Sequence, residues 1–297
     1  MIARVCVGAT LLSACGLDLG EPAEWISTEM IAGRMACEIG NAPPLRSSMP
    51  SSGDSIRVVT YNIDMGHDPE TVALELLANE ALARADVWLL QEEESYPGEG
   101  TTRASRLAAA LGMGWIYVPS KEKSDGTHGL AIVSRFPIES SEMMTLPILD
   151  NWDRRIAVRA EIVVGELRLP VVDLHLETRM NITDRILHIR PAVIDLPETV
   201  IVAGDVNTNP FVWQGTIPIV PSGQIADTDQ APLLDDYMRG IGFDTPAANV
   251  GPTESHLGVE SRLDAIFTRG LGVTEAVVER GITASDHWPV WADITLP

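Results

Sequence analysis

Short apolar runs rich in valine and isoleucine recur from Ile56 to the C-terminus, and segments with helical spacing separate them. The two patterns are distinguishable because strand side chains alternate between faces, whereas helical neighbours recur every three to four residues. Strands are predicted over 56–63, 86–92, 115–119, 129–136, 155–164, 167–176, 199–206, 262–269, 273–279 and 287–294. Helices are predicted over 68–84, 102–111, 183–196 and 232–240, with Pro191 kinking or shortening the third.

The order of these elements limits the fold. The runs 155–164 and 167–176 flank Gly165-Glu166 and predict a hairpin. The pattern contains too many hairpins for a simple parallel sheet. Two packed mixed β-sheets with helices outside account for it, so we predict the α/β class. The 297 residues, 45% of them hydrophobic, suffice to bury a sizeable core.

The N-terminal segment has the pattern of an export signal. Arg4 precedes an apolar stretch that is too short to cross a bilayer, and Leu12-Ser13-Ala14 directly precede Cys15. This resembles a bacterial lipoprotein signal peptide, which implies cleavage before Cys15 and acylation of that cysteine as a membrane anchor. An ordinary secretory signal or a buried strand is the alternative. Gly16, the residue after the acylated cysteine, does not mark retention in the inner membrane, so we expect the anchored protein at the outer membrane or cell surface.

We therefore divide the chain into a signal peptide (1–14), a lipidated cysteine with a tether (15–55) and a domain (56–297). The stretch 41–54 is rich in proline and serine, as linkers are. A first helix within 24–37 that packs on the domain is the alternative to a free tether.

The chain is strongly acidic, with 42 acidic and 21 basic side chains and a formal net charge of −21. Such a charge repels polyphosphate backbones, since nonspecific DNA affinity comes mostly from lysine and arginine contacts. The three cysteines, Cys6, Cys15 and Cys37, show no zinc-binding spacing and predict no disulfide framework.

Polar residues cluster at the ends of the predicted strands. Taken singly, each has an ordinary explanation, because asparagine, aspartate and glycine favour turns. Asp264 is harder to explain, since a carboxylate inside an apolar strand needs a partner. The polar set comprises Asn62, Glu92, His175, Asp205, Asn207, Asp264, Asp286 and His287.

Seven motifs that contain this set occur in one order: VVTYNI, LLQEEE, GLAIVSRFPI, VVDLHLET, VIVAGDVNTNP, SRLDAIF and SDHWPV. Together they resemble the endonuclease/exonuclease/phosphatase family over about residues 56–296. The resemblance implies a DNase I-like fold, a four-layer sandwich of two packed mixed sheets flanked by helices. It also implies hydrolysis of phosphoester bonds with a divalent cation.

The resemblance implies a role for each residue of the set. Glu92, Asp286 and Asn62 would hold the cation, and Asn62, Asn207 and His175 would contact the substrate. His287 would be the general base on water, oriented by Asp264, while Asp205 and Asn207 would lie beside the scissile phosphate. Asp205 and Asn207, two apart at a strand end, are expected to point to the same side.

The chemistry agrees with these roles. A hard cation held by oxygen ligands neutralises the charge that develops during phosphoester cleavage. Histidine accepts protons near neutral pH, and a carboxylate behind it fixes its tautomer. Oxygen-rich ligands without a cysteine cluster favour Mg²⁺ or Mn²⁺.

The substrate class stays open among a nucleic acid, a phospholipid such as sphingomyelin, and a small organophosphate such as a sugar phosphate. A lipid-cleaving enzyme would expose an apolar loop, for which Pro210-Phe211-Val212-Trp213 and Trp152 are candidates. An inactive lipoprotein scaffold would not need the polar set. We expect a monomer.

Overall fold

Two mixed β-sheets pack face to face, and helices cover their outer surfaces. The computed structural model describes residues 23–31, 38–40, 49–148, 153–219, 230–256 and 259–297. Helices are α1 (Thr28–Ile31), α2 (Pro69–Ala78), α3 (Arg103–Leu111), α4 (Ile182–Val193) and α5 (Gln230–Gly240). The layers follow the order helix, sheet, sheet, helix, which confirms the predicted four-layer α/β sandwich.

The larger sheet has seven strands in the order β16-β17-β3-β4-β6-β5-β2. They are β2 (Glu38–Gly40), β3 (Ser55–Asn62), β4 (Val87–Ser95), β5 (Gly114–Lys123), β6 (Gly126–Ser134), β16 (Gly272–Val278) and β17 (Val290–Thr295). Only β3 and β4 pair in parallel; the other neighbours are antiparallel.

The second sheet has six strands in the order β1-β7-β8-β9-β10-β15. They are β1 (Ile26–Ser27), β7 (Ile138–Thr145), β8 (Ile156–Val164), β9 (Leu167–His175), β10 (Val200–Asp205) and β15 (Asp264–Arg269). β9 and β10 run in parallel. Two small hairpins complete the described chain: β11 (Val212–Gln214) with β12 (Ile217–Ile219), and β13 (Glu254–His256) with β14 (Val259–Ser261).

Alternation along the strands creates three apolar clusters. Val58 of β3 and Val171 of β9 belong to the cluster between the sheets. Val59 faces the other way, into a cluster under α2 and α3, and Val172 faces a third cluster under α4 and α5. Polar residues in step with Val58 and Val171 therefore point between the sheets at the strand ends.

Several element boundaries differ from the predictions. The helix predicted over 68–84 ends at Ala78, and a 3₁₀ turn at Leu82–Arg84 follows. Asn79 causes the break, because its side-chain Oδ1 accepts the backbone N–H groups of Ala81 and Leu82. α4 includes Pro191 and ends at Val193, which confirms that the helix is shortened.

The expected tether over 15–55 requires a correction, because its described parts pack on the domain. β1 pairs with β7 and β2 pairs with β5, so this segment supplies an edge strand to each sheet. The buried Thr28 side chain exchanges a hydrogen bond with Ser141 at 2.6 Å. Edge strands gain backbone hydrogen bonds from any unpaired neighbour, which explains how a segment without a clear strand pattern is recruited. The remaining parts of 15–55 lie outside the described residues.

Gly204 is the glycine on which the strand order most depends. Its φ is +152°, and a Cβ built there would lie 1.9 Å from the backbone oxygen of Leu174 on the adjacent β9. Gly204→Ala is therefore expected to lower the free energy of unfolding by about 3 kcal/mol or more. Urea denaturation checks this, with Gly240→Ala as the control because a Cβ there meets no atom within 4 Å. Equal stability of the two variants would contradict the packing of β9 against β10.

A buried histidine in α4 should make stability depend on pH. Burial lowers the pKa of His188 to about 3, from an ordinary value of 6.5. Between those values the unfolded chain binds a proton that the folded chain does not, so stability falls as the pH falls, by about 1.4 kcal/mol per pH unit. His188→Gln should therefore lose less stability than wild type between pH 7 and pH 4.5 in urea denaturation. His67→Gln serves as the control, because His67 is exposed. Equal losses of stability in wild type and both variants would contradict the lowered pKa of His188.

Candidate active site

Three neighbouring strands of the six-stranded sheet bring three polar residues side by side. Asp205 at the end of β10 is the register partner of His175 on β9 and of Asp264 on β15. The next inward residues on these strands, such as Ala203 on β10 and Ile266 on β15, lie in the core between the sheets. All three polar side chains are buried at the rim of that core.

The seven-stranded sheet contributes Asn62, which ends β3 on its inward face. Its Nδ2 donates a 3.0 Å hydrogen bond to Asp205 Oδ2 across the gap between the sheets. Its Oδ1 accepts the backbone N–H of Asp64 at 3.1 Å. The amide is therefore fixed in orientation, and the cluster contains residues from both sheets.

Glu92 reaches the same cluster through a β-bulge. In β4, Gln91 pairs with Leu130 and Glu93 pairs with Gly129, so Glu92 is the extra residue. Its φ of +62° lies in the left-handed region, and such a bulge redirects a side chain that strand alternation would send elsewhere. One carboxylate oxygen of Glu92 lies 3.9 Å from His175 Nε2.

His287 and Asp264 form a buried pair. Asp264 Oδ2 lies 2.8 Å from His287 Nδ1 and also accepts a 2.6 Å hydrogen bond from Thr253 Oγ1. The other ring nitrogen, Nε2, lies 4.0 Å from Asp205 Oδ2. Burial alone would lower the pKa of His287, but the carboxylates of Asp264, Asp205 and Asp286 raise it to about 10. The ring therefore holds a proton at neutral pH when no cation is present.

Asn207 lies beside Asp205, but not for the predicted reason. β10 ends at Asp205, and Asn207 has a φ of +52°, so strand alternation does not apply to it. The backbone N–H of Asn207 donates to Asp205 Oδ1 at 2.9 Å, and its Nδ2 donates to the Leu176 carbonyl at 2.9 Å. Burial raises the pKa of Asp205, while the nearby imidazolium of His287 opposes that rise.

His175 is buried against a positive charge. Arg155 Nη1 lies 3.0 Å from each of its ring nitrogens, and Asp205 Oδ2 lies 3.3 Å from Nε2. Burial lowers the pKa of His175 well below its ordinary value, and Arg155 lowers it further. The ring is therefore neutral at pH 7 and has one N–H to donate. Glu177 Oε2 accepts from Arg155 Nε at 3.3 Å.

Glu92 marks a candidate cation position. Within the described residues, potential ligand atoms of Glu92, His128 and His175 lie within 4.8 Å of one another. Burial lowers the pKa of His128 to about 4, and its buried Nδ1 has no hydrogen-bond partner. Asp286, expected as a ligand, is exposed, and its Oδ1 lies 3.4 Å from Ser285 Oγ. Ser285 Oγ donates its proton to the Asn62 carbonyl at 2.8 Å, which ties the loop to β3.

Arg155 and Arg185 belong to a locally basic set in the sequence that could face a phosphate-bearing substrate or form ion pairs, but sequence reasoning did not predict the contacts by which they and Thr253 support the site. Thr253 and Arg155 contact Asp264 and His175 directly, and no motif marks them. Arg185 is fully buried and donates to the carbonyl oxygens of Glu177 and Val206 at 2.9 and 2.8 Å. It thereby joins the segments that follow β9 and β10, and its position within a helical pattern gave no signal of this.

A protein-family model described as the Endonuclease/Exonuclease/phosphatase family matches residues 59–287, a span that contains every residue of the polar cluster. The chain belongs to this family. No curated protein matches the sequence significantly. The family assignment agrees with the phosphoester hydrolase chemistry expected of the cluster.

Solved structures share the fold. An endonuclease/exonuclease/phosphatase from Beutenbergia cavernae DSM 12333 has a TM-score of 0.62 and 21% identity, covering 82% of this chain and 72% of its own. A mannosyl-6-phosphatase from Bacteroides thetaiotaomicron VPI-5482 has a TM-score of 0.56 and 17% identity, covering 81% of this chain and 99% of its own. D. rerio TDP2, solved with a single-strand DNA product, has a TM-score of 0.56 and 17% identity, covering 81% of this chain and 98% of its own. At these identities the likeness establishes the fold.

The lipidation expected at Cys15 lies outside the described residues. Within the described part of the chain, no helix is long and apolar enough to cross a membrane.

The bulge at Glu92 has a measurable consequence. Because its φ is positive, Glu92→Gly should be more stable than Glu92→Ala by about 1 kcal/mol, the reverse of the order in a regular strand. Urea denaturation in EDTA gives the difference without a contribution from bound metal. The same pair of substitutions at Glu142, where β7 pairs with β1 and β8 without a register shift, should favour alanine. If Glu92→Ala were more stable than Glu92→Gly, the left-handed backbone of the bulge at position 92 would be contradicted.

Proposed function

We propose that this protein is a divalent-metal-dependent phosphodiesterase in which His287 activates water against a phosphoester held at the rim between the sheets. The observation that carries the proposal is the convergence of Asn62, His175, Asp205, Asp264 and His287 at the ends of strands from both sheets. Burying so many polar side chains costs stability, which a scaffold would have no reason to retain.

The described side chains fit a divalent cation at Glu92. The Glu92 carboxylate, a ring nitrogen of His128 and the second lone pair of Asn62 Oδ1 are available donors. Asp286 would complete the set from the exposed side. A nitrogen donor favours Mn²⁺ over Mg²⁺, since Mg²⁺ prefers oxygen ligands alone. When bound, the cation would neutralise charge on the phosphoryl oxygens and counteract the carboxylates that raise the pKa of His287.

The chain's own residues account for the remaining chemistry. His287 Nε2, with Nδ1 held by Asp264, takes a proton from water as the water oxygen bonds to phosphorus. The bond from phosphorus to the leaving oxygen breaks, and that oxygen takes up a proton from solvent. His175 and Asn207 donate hydrogen bonds to the phosphoryl oxygens and orient the ester. Asp205 holds Asn62 and Asn207 in place and faces the imidazole.

The charge of the protein narrows the substrate classes that we consider. The fold relatives include a mannosyl-6-phosphatase and a protein solved with a DNA product, so the fold alone does not choose between substrates. The net charge of −21 disfavours a long polyanion. A small or membrane-proximal phosphodiester fits this charge better than a nucleic acid does.

We also propose that Cys15 carries a lipid anchor that holds the exported protein at a bacterial membrane. The apolar stretch and the small residues before Cys15 support this proposal. Labelling with a fatty-acid analogue should mark wild type and not Cys15→Ala. Equal labelling of the two proteins would refute the anchor.

The enzymatic proposal predicts metal-dependent turnover. Purified protein should hydrolyse bis-p-nitrophenyl phosphate with Mn²⁺ or Mg²⁺, and EDTA should abolish the activity. His287→Ala should reduce kcat at least about 100-fold, the usual contribution of a general base. Plasmid DNA, sphingomyelin and p-nitrophenyl phosphate, assayed in parallel, would rank the substrate classes.

The control is His188→Gln, which removes a buried histidine of α4 and should keep its turnover. Full activity in His287→Ala would refute the mechanism. Absence of turnover on all four substrates by a folded, metal-loaded protein would refute the phosphodiesterase.

A further inference from the structure

An apolar pocket adjoins the candidate active site. Its volume is about 280 Å³, and its lining includes Asn207, Phe211, Trp213, Val259 and Leu263. Small-molecule sites usually measure about 300–1,000 Å³, so this pocket has the size for one compact group and not for a two-chain lipid. The proposed chemistry leaves this pocket without a function.

The pocket is continuous with the residues proposed to act on the phosphate. Asn207 belongs to both, since its backbone N–H donates to Asp205 while the residue lines the pocket. Leu263 directly precedes Asp264, and its carbonyl accepts the N–H of Asn207 at 3.1 Å. Glu254, also in the lining, forms a β-bridge with His287. A phosphoester bound at the cluster therefore has one substituent directed to this pocket.

The aromatic wall is held in position before any ligand binds. Trp213 Nε1 donates to Asn209 Oδ1 at 3.0 Å, and its backbone N–H donates to Asn181 Oδ1 at 2.8 Å. Phe211 meets the Trp213 ring edge-on, with centroids 6.0 Å apart. The sequence pattern suggested this segment as a membrane-inserting loop. Instead, both rings are half-buried in the pocket wall, and Trp152, the other candidate, lies outside the described residues.

The lining also indicates what the pocket rejects. None of the described residues that line it is a lysine or an arginine, so a second phosphate would find no counter-charge there. Aromatic rings in the wall of a largely apolar pocket favour another ring, through edge-on or offset contacts beyond simple burial. A flexible alkyl chain gains burial alone and loses conformational entropy.

We propose that this pocket binds an aromatic ring carried by the substrate, so that the enzyme prefers phosphodiesters with an aryl or nucleoside substituent. Trp213 sets this preference by contacting the ring. The inference rests on the proposed phosphodiesterase activity for its catalytic readout, and its binding readout is independent of turnover.

Three diesters with one leaving group provide the catalytic test: bis-p-nitrophenyl phosphate, thymidine 5′-p-nitrophenyl phosphate and methyl p-nitrophenyl phosphate. Wild type should use the better of the two esters whose second substituent, besides the leaving group, carries a ring, with at least about 10-fold higher kcat/KM than the methyl ester. Trp213→Ala should reduce that ratio about 10-fold, and Trp213→Phe should keep most of it. The better ring ester shows whether the ring belongs to a nucleoside or to an aryl alcohol.

Trp25→Ala is the matched control, because Trp25 is a half-buried tryptophan that packs beside Arg159, at the β1 edge of the six-stranded sheet. It should leave the ratio unchanged. A hexyl p-nitrophenyl ester used as well as the ring esters would overturn the preference for a ring. A wild-type ratio near one would overturn the pocket's proposed role.

Binding separates this inference from the proposed function. Calorimetric titration of the Mn²⁺-loaded protein with benzylphosphonate and methylphosphonate, neither of which is hydrolysed, should show tighter binding of benzylphosphonate in wild type and a smaller difference in Trp213→Ala. That result without any turnover would support the pocket and refute the phosphodiesterase. Equal binding of the two phosphonates by wild type would refute the pocket whatever the turnover.

Discussion

The carboxylate of Asp205 joins the two sheets at the point where the candidate chemistry is concentrated. One oxygen accepts from Asn62 of the opposite sheet and lies near both histidines, while the other accepts the N–H of Asn207. Burying a carboxylate is costly, and these contacts offset part of that cost. The relative positions of these polar groups therefore depend on the register of β9, β10 and β15 with one another.

Strand alternation made much of this site predictable. Asn62, His175, Asp205 and Asp264 each stand in step with inward-facing apolar residues, so a correct strand assignment already places them on one face. The order of the motifs then indicated that these strands belong to one known fold. Both inferences depend only on local pattern and motif order, which a single sequence contains.

The rest of the site depends on contacts that no local pattern contains. The left-handed backbone at Glu92 and Asn207 departs from alternation, and the bulge shows only in the pairing of β4 with β6. Arg155 and Thr253 contact partners 20 and 11 residues away in sequence, which is beyond the reach of strand or helix periodicity. β7 was missed because its sequence, Ile-Glu-Ser-Ser-Glu-Met-Met-Thr, is too polar at its start to resemble a buried strand.

The central claim is that this rim between the sheets binds a cation and a phosphate group together. A crystal structure of the protein grown with Mn²⁺ and inorganic phosphate tests it most directly, because anomalous scattering locates manganese. The account predicts manganese at Glu92 and phosphate within hydrogen-bonding distance of His175 and Asn207. Manganese and phosphate bound only elsewhere, with the rim between Asp205 and Glu92 free of both, would contradict it.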